Sequence, residues 1–489
     1  MRTRLSPQSA VIAGFMLSSL AVFLNGCGSA STPIVPPTPG TTNVVVLLTS
    51  TANERLVFFN LAVANIGLTD SSGKSVTLFD NPNATAPAIH PTEYVHLSGV
   101  LEPLVTTAIP QGVYPTASIK VGYCSFTDVW VSSSGGLNED TYAQGLCAQG
   151  TGTTTVNLPS PITVSGQTMA LSVNLQIPQS YTLNGTGTTA SYTISPVFNL
   201  TPIHLSSNPT NEANGKITAI NAQITSINAA SNGFVAQMSD GVSLNINTNG
   251  SAAYQGISGF SSLTVGMVVD LDVAIQPDGS LLATRIEVND SAAAEASIGE
   301  LYAPGSQTGQ FVSLPTEQLG CATSALSFCS NAYQFDGNTV FGFSNQLSNV
   351  QNLPFTPSFD SSSKFLGQNF SSLSSGVLNA QSFATVRTAT LMPQTINGTV
   401  MAVSSQAGFS IYTVSIASYA LVPTLQGYVG PINRLNSPTT VIVYVDTNTQ
   451  FLSSTALNTG AMLRFRGLLL NDNGTLRMDC AQILDGVPE

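Results

Sequence analysis

Charge is what this chain has least of. Only 8% of its 489 residues are Asp, Glu, Lys or Arg, where about a quarter is usual. Its 13 Lys and Arg are dispersed among 25 Asp and Glu, for a net charge of −12. Such a chain cannot neutralise a phosphate backbone, which excludes nucleic acid as a partner. It also lacks the basic patch that would dock it on anionic lipid. Catalytic signatures are missing too. There is no Gly-x-Ser-x-Gly elbow, no His-Glu-x-x-His and no phosphate-binding glycine loop ahead of a helix, so no motif assigns a reaction or a cofactor. Its one long apolar run, Val11 to Leu24, is about 14 residues, short of the roughly 20 that span a bilayer. Solubility must therefore come from Ser, Thr, Asn and Gly, which are abundant.

That run has the length of a signal-peptide core, and Arg2 and Arg4 precede it. It ends in Leu24-Asn25-Gly26-Cys27, which resembles the lipobox of bacterial lipoproteins, with Asn25 a less usual occupant of its position. The resemblance implies that residues 1–26 are removed and that the Cys27 sulfur receives a diacylglyceryl group. It also implies that the new amino terminus is acylated, for example with palmitate. An ordinary secretory signal with an incidental Cys is the other reading. Gly28 stands where an Asp often retains lipoproteins at the inner membrane, so the expected address is the outer membrane of a bacterial envelope. Residues 27–42 are rich in Ser, Thr and Pro and cannot bury a core, which makes them an extended spacer.

An exported chain meets an oxidising compartment, where close cysteines pair. Cys124 with Cys147 and Cys321 with Cys329 are the expected disulfides, each closing a short loop and contributing about 3 kcal/mol. No CxxC pair or Cys/His cluster suggests a metal instead. Cys480, in the alternating run Leu476 to Ala481, is expected to be a buried, inert thiol.

From Val44 onward the pattern is that of strands. Val44 to Leu48 is a compact apolar run, Leu56 to Leu68 alternates, and Ser71-Ser72-Gly73-Lys74 turns into Val76 to Phe79. Further strands are expected at Ile119 to Tyr123, Thr154 to Leu158, Ala170 to Ile177 and Tyr192 to Leu200. No amphipathic helix interrupts them, so residues 43–205 read as a β-sandwich. Leu68-Thr69-Asp70, Val95-His96-Leu97-Ser98-Gly99-Val100 and the turn Ile109-Pro110-Gln111-Gly112-Val113-Tyr114 resemble the lipoprotein domain called domain of unknown function 4382. Thr49-Ser50-Thr51-Ala52 departs from that family's usual Asp-Ala-Pro turn. The resemblance implies a β-rich envelope domain with no established activity.

After a linker at Asn208 to Glu212 the chain repeats itself. Gly215-Lys216-Ile217-Thr218-Ala219-Ile220 and Gly398-Thr399-Val400-Met401-Ala402-Val403 open two copies. Each continues through a Gly-Phe step, Gly233-Phe234 or Gly408-Phe409, to Leu-x-x-Gly at Leu263 to Gly266 or Leu457 to Gly460. Each then turns at Asp278-Gly279 or Asn473-Gly474, strong hairpin signals. Gly299-Glu300-Leu301 and Leu373-Ser374-Ser375-Gly376 mark a degenerate middle copy. The units resemble domain of unknown function 5666, which implies small OB-like barrels at 215–290, 296–393 and 396–486. The expected fold is all-β, a sandwich followed by about three such barrels.

Candidate sites are few. His90, Glu93 and His96 could be drawn as a metal trio, but Pro91 and the β context break a helical face, and a surface loop is expected. Asp270 and Asp272 are expected to face solvent together, with Asp278-Gly279 as a turn rather than a calcium loop. Trp130, Tyr254, Tyr302, Tyr333, Tyr412, Tyr419 and Tyr428 are scattered, and core filling suits them better than sugar stacking. The resulting expectation is a non-catalytic binding or scaffolding protein held to the membrane by lipid, with an envelope protein or glycan as ligand. The alternative is a carbohydrate-active or other hydrolytic enzyme whose carboxylates, about 5 to 9 Å apart, are assembled only by the fold.

Overall fold

The computed structural model describes residues 40–51, 56–82, 84, 91–131, 137–144, 154–184, 191–291, 295–304, 310–320, 332–344, 369–378, 383–406, 408–416, 421–423, 429–431, 439–472 and 475–486. Cys27 and the spacer as far as residue 39 lie outside these residues, as do His90, Cys147, Cys321 and Cys329, whereas Thr41 and Thr42, expected in the spacer, already belong to the first strand. The chain is all-β. Among the described residues, helix is limited to Ile177–Ser180 and the 3-10 turns Glu212–Asn214 and Phe260–Ser262. No described helix is long and apolar enough to cross a membrane.

Two sheets form the N-terminal sandwich. One runs Glu102–Pro110, Thr41–Thr51, Thr168–Gln176, Val197–Ile203, Thr155–Asn157. The other runs Ser75–Asp80, Leu56–Thr69, Thr116–Val131, Leu137–Gln144, with Thr92–Glu93 also paired to Leu56–Thr69. Val44, Val46 and Leu48 from the first sheet meet Phe59, Leu61, Ile66 and Leu68 from the second in one core. The residues between them are buried as well. Val45, Leu47 and Ala170 pack into the core of the first barrel, and a strand covered on both faces reads as an unbroken apolar run. The strand expected at Tyr192 to Leu200 is in fact two, Ser191–Ile194 and Val197–Ile203. Pro196 separates them, and proline cannot donate to a ladder.

The turn before the Thr116–Val131 strand is fastened by its own tyrosine. The Tyr114 hydroxyl donates to the Pro110 carbonyl at 2.8 Å, and the ring is buried. Tyr114→Phe should therefore lower the stability of the sandwich by about 1 kcal/mol. Urea unfolding would measure this, and an unchanged midpoint would assign that bond no net value.

Three six-stranded sheets follow, and they share one order. The first barrel comprises Lys216–Asn228, Gly233–Gln237, Ser243–Asn247, Ala253–Gln255, Val268–Ile275 and Leu281–Glu287. The second comprises Glu295–Pro304, Gln310–Leu319, Ala332–Gln334, Val340–Phe343, Asn369–Leu378 and Ala384–Leu391. The third comprises Gln394–Gln406, Phe409–Ile416, Thr439–Val445, Gln450–Phe451, Met462–Asp472 and Thr475–Asp485. In each, the order is third, second, first, fifth, sixth, fourth, and a pairing of third with sixth closes the ring. Five strands closed this way make a small OB-like barrel.

Finer features recur with the topology. Gly266 and Gly460 have φ of +93° and +89°, a region that favours glycine. Their N–H groups donate to the carbonyls of Ile224 and Val400, each at 2.8 Å. A bulge interrupts the fifth–sixth pairing at Asp272/Val273, Leu373/Ser374 and Arg466/Gly467. The middle copy's Leu373-Ser374-Ser375-Gly376 thus lies inside the fifth strand, not in the turn before it. Asn473-Gly474 lies outside the described residues, between the paired Asp472 and Thr475.

Candidate functional site

Titratable side chains gather where the sandwich meets the barrels. One segment, Thr92 to Glu102, reaches all three barrels. It starts with Thr92–Glu93 paired to the Leu56–Thr69 strand and ends as the Glu102–Pro110 strand begins. Glu93 fixes its shape. One carboxylate oxygen accepts from the N–H groups of Phe59 and Val95 at 2.8 Å each. The other accepts from the His96 N–H at 2.8 Å and lies 3.1 Å from His96 Nδ1. Glu93 is 5% exposed, so this segment is a buried junction and not the expected surface loop.

Contacts to the barrels fan out along the segment. Thr92 Oγ1 donates to Asp240 of the first barrel at 2.8 Å. His96 Nε2 lies 3.3 Å from Glu317 of the second barrel and 3.8 Å from Glu102. Ser98 meets the third barrel twice, through Thr395 Oγ1 to its carbonyl at 3.1 Å and Arg464 Nη1 to its hydroxyl at 2.8 Å. Gly99, at φ +81°, lies against Leu484, and a Cβ built there would come within 2.5 Å of that side chain. Only a residue without a Cβ fits this approach.

The electrostatics follow from burial among like charges. Burial alone would pull the His96 pKa down, but Glu317, Glu93 and Glu102 outweigh it and raise it to about 9. Burial, then the Asp240 charge, pushes Glu102 well above the usual carboxylate range. Burial also raises Asp240 and Glu317. Glu212, whose carboxyl accepts from Thr218 and from the Leu101 N–H, is raised by burial to about 7 against the pull of Arg466. Arg466 is lowered by burial to about 10, resisted by Glu212 and Glu317. The Tyr94 hydroxyl is fully buried and feels Glu102 and Asp240.

A second cluster lies in the first barrel. Arg285 Nη2 donates to Asp270 at 2.7 Å and Asp272 at 2.9 Å, and its Nη1 donates to Glu287 at 2.6 Å. Lys216 Nζ is 3.5 Å from Asp272. Asp272 also accepts from the N–H of Ala219 at 3.3 Å, holding that residue at φ +58°. The two aspartates thus face a largely buried ion cluster rather than solvent, as their side-chain exposures of 12% and 13% show. Burial raises Asp270 to about 7 despite Arg285. Asp278 makes the expected turn, accepting from Ser280. Through that turn the first barrel also docks on the sandwich, Asn43 Nδ2 donating to the Asp278 carbonyl at 2.7 Å. Register shows a reversal of sign between copies. Arg464 and Arg466 occupy, just before the bulge, the positions that Asp270 and Asp272 hold in the first barrel.

Other candidates disperse. Among the described residues, no group of three or more His, Cys, Asp or Glu is arranged to hold a metal ion. Tyr333 and Tyr412 are buried, Tyr254 is half-buried and His204 is exposed. Tyr419 and Tyr428 lie outside the described residues, and nothing is described of the Trp130 and Tyr302 side chains. Cys124 is buried. Cys480 is a free, buried thiol, its pKa pushed up by burial. Glu102 and Glu317 both approach the same His96 Nε2, at 3.8 and 3.3 Å.

The architecture is that of an all-β chain whose closed barrels are fastened to a sandwich by buried polar contacts. Residues 214–287, the first barrel, match the family model described as a domain of unknown function, DUF5666. No curated protein matches the chain.

Proposed function

We propose that this chain is a lipid-anchored protein of the bacterial outer membrane that acts by binding or scaffolding and not by catalysis. One observation carries this reading. Several charged side chains of a charge-poor chain converge on the buried junction around His96, where they join barrels to sandwich. Ionisable groups spent on architecture suit a rigid support for binding faces. The N-terminal resemblance to domain of unknown function 4382 and the lipobox ending at Cys27 support an envelope location. Pairing of Cys124 with Cys147 and of Cys321 with Cys329 fits the same oxidising compartment. The ligand would be an envelope protein or a glycan.

Cys27→Ser tests the anchor. It should abolish lipid labelling and move the protein from the membrane to the soluble fraction, because stable anchoring depends on acyl chains. A variant that still sediments with membranes in detergent-free buffer would refute Cys27 as the anchor. A pull-down from detergent-solubilised envelopes, run beside a glycan array, tests the binding role. Turnover of any arrayed glycan would favour the hydrolytic reading instead.

A further inference from the structure

We propose that the junction around His96 is a proton-operated latch, which holds the middle barrel on the sandwich in acidic and neutral media and releases it in alkaline ones. This goes beyond the scaffolding role and stands whether or not that role is correct. The geometry that carries it is the position of one imidazole between two modules. His96 is anchored to its own module by Glu93, at 3.1 Å, and reaches across to Glu317 of the middle barrel, at 3.3 Å. Glu102 completes its surroundings at 3.8 Å.

Every module packed on this point contributes charge. The sandwich supplies Glu93, Glu102 and the Tyr94 phenol, the first barrel supplies Asp240, and the 3-10 turn leading into it supplies Glu212. The middle barrel supplies Glu317, and the third supplies Arg466. Acids outnumber bases, so the arrangement relies on bound protons. Glu102 Oε2 and the Tyr94 hydroxyl have no hydrogen-bond partner among the described residues. Ionising Glu102 there would leave a buried charge poorly compensated. Among the described residues, the apolar cluster joining the middle barrel to the first is Val268, Ala296 and Leu319.

The direction follows from linkage. The His96 pKa is raised from 6.5 to about 9, so its contribution to the closed state is complete below 6.5 and lost as pH rises through about 9. Glu212 is raised from 4.5 to about 7, so its contribution is likewise lost as pH rises through about 7. Glu102, Asp240 and Glu317 are raised too and act in the same sense. Arg466, lowered to about 10, acts oppositely, gaining only where pH passes about 10. Between neutral pH and about 9 the loss of the His96 proton favours opening, and Arg466 does not yet oppose it.

Spin labels on the full chain can read the latch. Val113→Cys on the sandwich and Val340→Cys on the middle barrel are both exposed positions, at 52% and 63%. The label-to-label distance should be narrowly distributed at pH 6 and should lengthen and broaden by pH 10. Near-UV circular dichroism should stay unchanged, and the change should reverse on returning to pH 6. Glu317→Gln removes the middle barrel's charge, the largest of those that raise His96, while keeping a hydrogen-bonding group, and should move the midpoint down by about one pH unit or more. His96→Gln should show the broad distribution already at pH 6. Identical distributions at pH 6 and 10 in the parent chain would overturn the proposal. So would a Glu317→Gln midpoint equal to the parent's, or an opening that coincides with loss of the near-UV signal.

Discussion

Glu93→Ala should cost the sandwich about 3–5 kcal/mol, the range for breaking a buried charge from its partners. The carboxylate accepts from three backbone N–H groups and faces the His96 ring. Alanine would leave those donors buried without acceptors, each lost partner costing about 1–3 kcal/mol before relaxation. Trp130 is the chain's only tryptophan and lies on a sandwich strand, so its fluorescence in a urea titration reports this module. A loss below about 1 kcal/mol would show that the segment from Thr92 to Glu102 holds its shape by other means.

Arg285→Met should have a comparable effect on the first barrel, about 3–5 kcal/mol at pH 8, with most of it regained at pH 5. Methionine keeps much of the stem but leaves Asp270, Asp272 and Glu287 facing one another. Asp270 already has its pKa raised from 3.8 to about 7 with the guanidinium present. A carboxyl raised in the folded state favours folding most below 3.8, and that benefit is lost as pH rises through its folded pKa. Removing Arg285 raises that pKa further, so the variant's deficit grows from pH 5 to pH 8. Adding Asp270→Asn should recover part of it at pH 8. Hydrogen exchange of first-barrel amides measures both effects, and a deficit independent of pH would assign the loss to packing.

The sequence carries the strands because their signals are local. Apolar alternation, the Asp278-Gly279 turn and the glycines before the fifth strands all act within a few residues. The middle barrel's Gly299-Glu300-Leu301 and Leu373 to Gly376 are weak marks, and a stronger one stands between its third and fourth strands. Asp336-Gly337-Asn338-Thr339 and Asp446-Thr447-Asn448-Thr449 stand between the third and fourth strands of the last two barrels. In each, the Asn N–H donates to the Asp carboxylate at 2.8 Å. The Thr hydroxyl donates at 2.8 Å to the carbonyl of Val386 or Cys480, the sixth-strand partner of Ser374 or Gly467 just after the register break. That pairing of motifs dates neither copy but would have found both.

The junction was not legible for the opposite reason. Glu93 and His96 are visible as neighbours, but Asp240, Glu317 and Arg464 join them across 148, 221 and 366 positions of chain, where no periodicity reaches. Arg285 was nearer to hand. Counting back from the Asp278-Gly279 turn pairs Val273 with Ala283, and only the bulge then brings Arg285 opposite Asp272. A bulge of one residue moves a side chain to the other face, which is why two aspartates that looked solvent-facing are clamped.

Ring closure has a consequence for aggregation. An open sheet leaves a row of unpaired backbone groups along its margin, which other chains can extend, and proteins commonly guard such margins with lysine or proline. With 13 Lys and Arg in 489 residues, this chain has few cationic guards for three successive sheets. Pairing Val441 to Tyr444 with Leu476 to Asp479, and its counterparts at Ile246 with Leu281 and Tyr333 with Ala384, takes those margins out of circulation. A defect that merely delays this last pairing would thus act less through lost stability than through self-association of chains whose barrels have yet to close.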